Sequence, residues 1–133
     1  MEFQTLLESR RSVRSYDASK TVTREQIKEI VEAGILAPSW KNSQTARYYC
    51  VIDEAAKEKF AKECLPEFNI NSSKGAGAYV ITTFVANRSG FDREGNPDNE
   101  CGNGWGYYDL GLHNENVILK AKELGLDTLV MGI

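Results

Sequence analysis

The sequence has a single histidine, His113, which excludes a multi-histidine metal centre or a duplicated histidine network. Its three cysteines, Cys50, Cys64 and Cys101, are odd in number and lack C-x-x-C spacing. That pattern fits reduced thiols in a cytoplasm better than a disulfide framework or a zinc site, so no metal is expected. No apolar run approaches the roughly 18 residues of a membrane span, and the longest, Tyr79–Ala86, is broken by threonines. Met1-Glu2-Phe3-Gln4 has neither a basic nor an apolar leader region, and the expected location is cytoplasmic. Positive charge is also in short supply. Sixteen Lys and Arg against nineteen Asp and Glu give a net charge of −3, so no broad positive field exists for a nucleic-acid backbone or an anionic membrane. Any basic site must be local.

What is present is the balance of an ordinary globular protein, 41% hydrophobic and 26% charged over 133 residues, and a single domain over 1–133 is expected. Phe3, Leu6 and Leu7 share a helical face that leads into Glu8-Ser9-Arg10-Arg11. Thr23-Arg24-Glu25-Gln26 reads as a capping box, followed by the stripe Ile27, Ile30, Val31, Gly34, Ile35 and the terminator Pro38. Tyr48–Ile52 has the content of a buried strand, and Asp53 caps a helix carrying Ala56, Phe60, Ala61, Cys64 and Leu65. A polar loop is expected over 69–77, then a strand over 79–86 and a long glycine-rich excursion over 87–104. A helix from about Gly106 to Gly125 and a last buried strand at Leu129–Met131 complete an α+β pattern, a small mixed sheet flanked by helices.

Three segments invite chemistry. Arg10-Arg11-Ser12-x-Arg14 places three guanidinium groups and a hydroxyl within five residues, a set matched to phosphate oxygens, although a solvated basic helix end would look the same. Ala37-Pro38-Ser39-Trp40-Lys41-Asn42-Ser43-Gln44 is dense in amides and hydroxyls that suit a planar heterocycle, or simply a hydrogen-bonded turn. Lys74-Gly75-Ala76-Gly77 fails the dinucleotide and P-loop patterns, since it precedes a strand and Val80 occupies the last glycine position. Asn71 and Lys74 still offer an amide and a cation in that region, against a default of solvated loop. Trp105, Tyr107 and Tyr108 suit either a pocket for a planar ligand or core packing, and His113 reads as a surface or core-edge histidine.

Taken in order, S-R-R-S-x-R-x-Y at Ser9–Tyr16, A-P-S-x-x-N-x-Q at Ala37–Gln44, N-x-x-K at Asn71–Lys74 and the block Asp109–Leu126 resemble the nitroreductase family of FMN-dependent oxidoreductases. The resemblance runs over essentially the whole chain. It implies that Arg10, Arg11, Ser12 and Arg14 hold the FMN phosphate and ribityl chain, and that Pro38, Ser39, Trp40 and Asn42, with Gln44 nearby, approach the isoalloxazine from the second subunit of a homodimer. Asn71 and Lys74 are implied as further contacts, and the Met131-Gly132-Ile133 backbone as the segment facing flavin N5. The implied activity is ping-pong. NAD(P)H passes hydride to flavin N5, and an electron-poor acceptor of the nitroaromatic or quinone class then takes it, with no catalytic side chain required. A flavin-binding sensor or store without turnover, or a flavin-fragmenting or dehalogenating enzyme, are the alternatives.

The sequence departs from the family pattern in three places. Thr45-Ala46 stand where Pro-Trp is common, Trp40 is bulky where small residues are usual, and the family's closing helix and strand would follow Ile133. From the last point the expectation is a C-terminally incomplete form, because a terminal carboxylate near N5 would disfavour the anionic reduced ring.

Overall fold

A computed structural model describes residues 1–133. Helix α1 (Phe3–Ser9) buries only Leu6 and ends before the arginines, with the Arg10 backbone already extended. Helix α2 (Arg24–Ile35) begins with the expected capping box: the Gln26 N–H donates to Thr23 Oγ1 at 3.1 Å and the Thr23 N–H to Gln26 Oε1 at 2.9 Å. Strand β1 (Ala46–Val51) pairs antiparallel with β2 (Tyr79–Phe84), with Ala46 opposite Phe84 and Val51 opposite Tyr79. Between them lie α3 (Glu54–Cys64), capped by Asp53, and α4 (Glu67–Ser72). The twenty-residue helix α5 (Gly104–Glu123) follows the 87–104 excursion and stops at Gly125, whose φ of 78° is the left-handed C-terminal stop.

The core lies where α2 crosses α5. Ile30, Val117 and Ala121 form its buried centre, with Tyr48, Leu124 and Leu126 packed around it. The two helices run antiparallel: Asn116 Nδ2 donates to the Ala33 carbonyl at the C-terminal end of α2, and Ile30 meets Ala121 one turn further along α5. Gly34 permits the close approach, since a Cβ there would lie 2.8 Å from Val117 Cγ2 and 3.1 Å from the Tyr48 hydroxyl.

The α+β architecture is as expected, with differences in detail. Residues 69–72, expected as loop, are the end of α4. Three neighbouring polar residues lower helix propensity there, but Pro66 fits the helix start and Ser73 closes the last turn through its N–H and Oγ on the Asn69 carbonyl at 3.0 and 2.7 Å. The strand expected at Leu129–Met131 forms no ladder. The parallel component is a single bridge, Ser12 to Thr128, with the Val13 N–H on the Thr128 carbonyl at 3.0 Å, and Val130 is exposed. Three apolar residues alone do not make a strand: each strand of the β1–β2 pair keeps a free edge, but the backbone leading into this segment pairs with Ser12–Val13 instead. β1 is likewise only half-buried: Tyr49 is exposed on one face of the pair and Cys50 on the other. No helix is long and apolar enough to cross a membrane.

The Tyr48 hydroxyl is buried with no hydrogen-bond partner, and desolvation pushes its pKa up to about 12. The unfolded phenol, near pKa 10, therefore loses its proton first, and stability present at neutral pH falls as pH rises from about 10 toward 12. Urea midpoints compared between about pH 8 and about pH 11 should fall less for Tyr48→Phe than for the wild-type chain, and an equal fall in both would contradict this reading.

Candidate functional site

The segment Ala37–Thr45 leaves α2 at the end where α5 begins. Ser39 is extended, and Trp40–Asn42 form one 3₁₀ turn closed by the Asn42 N–H on the Ser39 carbonyl at 3.0 Å and the Ser43 N–H on the Trp40 carbonyl at 2.9 Å. Lys41 (φ 46°), Asn42 (φ 53°) and Gln44 (φ 53°) all lie in the left-handed region, which costs a residue with a Cβ roughly 1–2 kcal/mol. Three such residues within four positions form a concentration of backbone strain, and strain of this kind collects where a ligand must be met. Local bonds hold part of it: the Gln44 N–H donates to Ser39 Oγ at 2.9 Å, Gln44 Nε2 to Asn42 Oδ1 at 3.3 Å, and Ser43 Oγ to the Trp40 carbonyl.

Asp109, in the second turn of α5 and 2% exposed, receives the Trp40 N–H on both carboxylate oxygens at 3.0 and 3.1 Å. Its Oδ2 also accepts from Ser89 Oγ at 2.6 Å, and Ser89 Oγ lies 3.3 Å from Thr45 Oγ1. All three side chains are buried, so the loop, the excursion and α5 meet in one polar knot. One turn on, the His113 Nδ1 lies 2.7 Å from the Asp109 carbonyl. A carbonyl can only accept, so Nδ1 carries the proton; of the surface and core-edge placements the sequence left open for this imidazole, the structure takes the buried one.

Around the loop stand the aromatic residues noted in the sequence. The Trp40 and Trp105 ring centroids are 6.5 Å apart, Trp105 meets Tyr108 edge-on at 6.2 Å, and Lys41 Nζ sits 4.5 Å from the Trp40 ring centroid while pairing with Asp98 at 3.2 Å. The excursion is internally hydrogen-bonded. Asp92 Oδ1 accepts from the Glu94 and Asn96 N–H groups, and Asn99 Oδ1 accepts from Trp105 Nε1 at 3.2 Å.

The arginine segment lies at the other end of α5. Arg11 Nη1 donates to the Glu8 and Arg10 carbonyls at 2.7 and 2.6 Å, while Ser12 and Arg14 are exposed beside Thr128. None of the five ion pairs in the chain uses an arginine, so Arg10, Arg11 and Arg14 have no carboxylate partner in a protein of net negative charge. Asn69 Nδ2 donates to the Gly132 carbonyl at 2.9 Å, drawing the Met131–Ile133 segment to α4, where Asn71 lies in the last turn and Lys74 follows the helix, both exposed. One end of α5 thus gathers Arg10, Arg11, Ser12, Arg14, Asn71, Lys74 and Met131–Ile133 by chain neighbourhood. Pro38–Gln44 do not join them. From Asp109 to the end of α5 the helix rises roughly 20 Å at about 1.5 Å per residue, so the two groups are well apart within one chain. A mainly apolar cavity of about 560 Å³ lies between 13–22, β2, α5 and the 125–133 segment; of the expected site residues only Met131 and Ile133 line it. Thr45, Ser89 and Asp109 had no site role in the sequence reading. Asp109 falls inside a block that carried the resemblance, whereas Ser89 sits in the aperiodic excursion and carries no sequence signal.

The sequence profile of the Nitroreductase family matches residues 7–133. Over 84 residues the chain is 35% identical to YdgI of Bacillus subtilis (strain 168), provisionally named an NAD(P)H nitroreductase; the match covers 63% of this chain and 39% of YdgI. The chain therefore aligns with about two fifths of the length of that curated relative. A provisionally named nitroreductase from Desulfovibrio desulfuricans, crystallised in complex with FMN, superposes with a TM-score of 0.73 at 26% identity, over 97% of this chain and 67% of that one. A second FMN complex, from Exiguobacterium sibiricum, gives 0.76 at 23% identity, over 99% of this chain and 75% of that one, and shows the shared fold.

If the left-handed run is strained, replacing Gln44 with glycine, which has no Cβ to clash, should stabilise the ligand-free chain by about 0.5–1 kcal/mol in urea unfolding. An unchanged or lowered midpoint would show that the loop is not strained at this position.

Proposed function

The chain belongs to the nitroreductase family, and we propose that it acts as an FMN-dependent oxidoreductase that oxidises NAD(P)H and reduces an electron-poor acceptor of the nitroaromatic or quinone class. The observation that carries the proposal is the set of unpaired guanidinium groups at Arg10, Arg11 and Arg14 with the Ser12 hydroxyl, gathered beside Thr128 in an acidic chain. Forked donors with no carboxylate to satisfy them fit a terminal phosphate, and these residues would hold that of FMN. Asn71 and Lys74, exposed next to the same junction, would flank it, and Met131, Gly132 and Ile133, held to α4 through Asn69, would present backbone to the ring. When bound, FMN supplies the hydride chemistry itself, and the protein supplies binding, orientation and access.

The loop residues Pro38, Ser39, Trp40, Asn42 and Gln44 would meet the ring from a second subunit. Two features support this shared site. The loop stands roughly 20 Å along α5 from the arginine segment, and the residues that lead into it, Ile35 and Leu36, are 64% and 84% exposed with no cover from their own chain. Tyr107 and Tyr108, also exposed, extend that apolar surface along the start of α5. The homodimer is thus part of the proposal, as is a single domain over 1–133. A cytoplasmic location fits three exposed, unbridged cysteines, Cys50, Cys64 and Cys101. In this arrangement the Trp40–Trp105–Tyr108 group would wall the ring face and favour planar acceptors.

Changing Arg10 and Arg11 together to Ala should weaken FMN binding by several kcal/mol, at about 1.5–3 kcal/mol for each charge-assisted bond lost. Flavin fluorescence titration measures it, and unchanged affinity would remove the arginine assignment. Dimerisation and flavin retention should also rise and fall together across a dilution series followed by sedimentation. A stable monomer that keeps one FMN would remove the shared site.

A further inference from the structure

We infer that Asp109 is a positioning residue, the buried anchor that holds the Trp40–Gln44 loop in the shape it presents to its ligand. The inference rests on the proposed function only in identifying that ligand as FMN. The hydrogen bonds made by residues 39–44 are nearly all local, within five residues of one another. Two contacts reach further. One is the Lys41–Asp98 ion pair, where the lysine side chain is 71% exposed and the pair is correspondingly weak. The other is the Trp40 N–H on the Asp109 carboxylate, a link across 69 residues to the inside of a rigid helix.

The chemistry of this carboxylate shows what it is for. It is almost fully buried and forms no salt bridge with a cation, so its charge is met by donors alone: the Trp40 N–H, shared between both oxygens, and the Ser89 hydroxyl. A buried charge with two donors holds both of them in fixed places, because movement of either leaves it unsatisfied. Directly after Trp40 come the left-handed residues Lys41, Asn42 and Gln44, a shape that persists only where the surroundings impose it. Trp40 is the point at which α5 imposes it. The same helix leads at its other end to Thr128 and the bridge to Ser12, so Asp109 also fixes where the loop stands relative to the arginine segment.

The test compares Asp109→Ala and Asp109→Asn with the wild-type chain. Asparagine keeps one oxygen for the Trp40 N–H and can turn its amide toward Ser89, whereas alanine removes both bonds. In the flavin-free protein, tryptic cleavage after Lys41 should accelerate about tenfold or more in Asp109→Ala and less than about threefold in Asp109→Asn. FMN affinity, read by flavin fluorescence, should follow the same order, about tenfold weaker for alanine and largely rescued by asparagine. Unchanged cleavage at Lys41 in Asp109→Ala, unchanged FMN affinity in that variant, or asparagine as damaging as alanine would each overturn the assignment. Should Asp109→Ala fail to fold, amide hydrogen exchange in the wild-type chain decides: the Trp40 N–H should exchange at least about tenfold more slowly than that of Lys41, and equal rates overturn the anchor. A wild-type chain that binds no FMN would count against the proposed function alone, since Lys41 cleavage and Trp40 exchange are read without flavin.

Discussion

The close approach of α2 and α5 at Gly34 is the constraint on which the remaining arrangement depends. A side chain at that position would meet Val117, whose branched Cβ allows little rotameric retreat in a helix, and the hydroxyl of Tyr48 on the adjoining strand. With glycine there, Ile30, Val117 and Ala121 pack into the buried centre, and the antiparallel pair acts as a rigid bar. Everything that bears on function hangs from its ends. The loop 38–45 leaves α2 where α5 starts, and the junction of Ser12 with Thr128 forms where α5 has finished. The spacing between the two halves of the candidate site within one chain thus follows mainly from the length of α5.

That geometry also organises the surface. The buried hydrophobic set is small, and large apolar side chains remain exposed at both ends of the bar: Phe3 and Leu7 on α1, Ile35 and Leu36 at the end of α2, Tyr107 and Tyr108 on α5. Surface of this kind around a strained polar loop is what a self-complementary interface uses: apolar area drives association, and the loop supplies directed hydrogen bonds at its centre. The arginines behave differently. None of them joins the five lysine ion pairs of the exterior, and they place three guanidinium groups within five residues of one another.

Much of this was legible in the sequence, for identifiable reasons. The capping box at Thr23–Gln26, the stripe from Ile27 to Ile35, Asp53 as a cap and Gly125 as a stop are local signals, and local signals survive folding. The α4 helix was hidden because its Asn and Ser residues argue against helix locally, while tertiary bonds from Asn69 to Gly132 and from Ser73 to Tyr79 decide in its favour. Leu129–Met131 has the composition of a strand, but pairing is a property of neighbours and composition cannot supply one. On the site side, the arginine cluster and the amide-rich loop were visible as residue types. The polar knot was not, because Thr45, Ser89 and Asp109 are 20 to 64 residues apart and only the fold brings their hydroxyls and carboxylate together.

The central claim is that one FMN is held by the arginine segment of one chain and faced by the Trp40–Gln44 loop of another. A crystal structure of the protein grown with FMN tests it most directly. The account predicts two symmetric flavins per dimer, each with its phosphate on Arg10, Arg11, Ser12 and Arg14 and its ring against Trp40 and Asn42 of the second chain. A flavin seated instead in the apolar cavity between β2 and α5, or one whose phosphate lies away from the arginines, would contradict it.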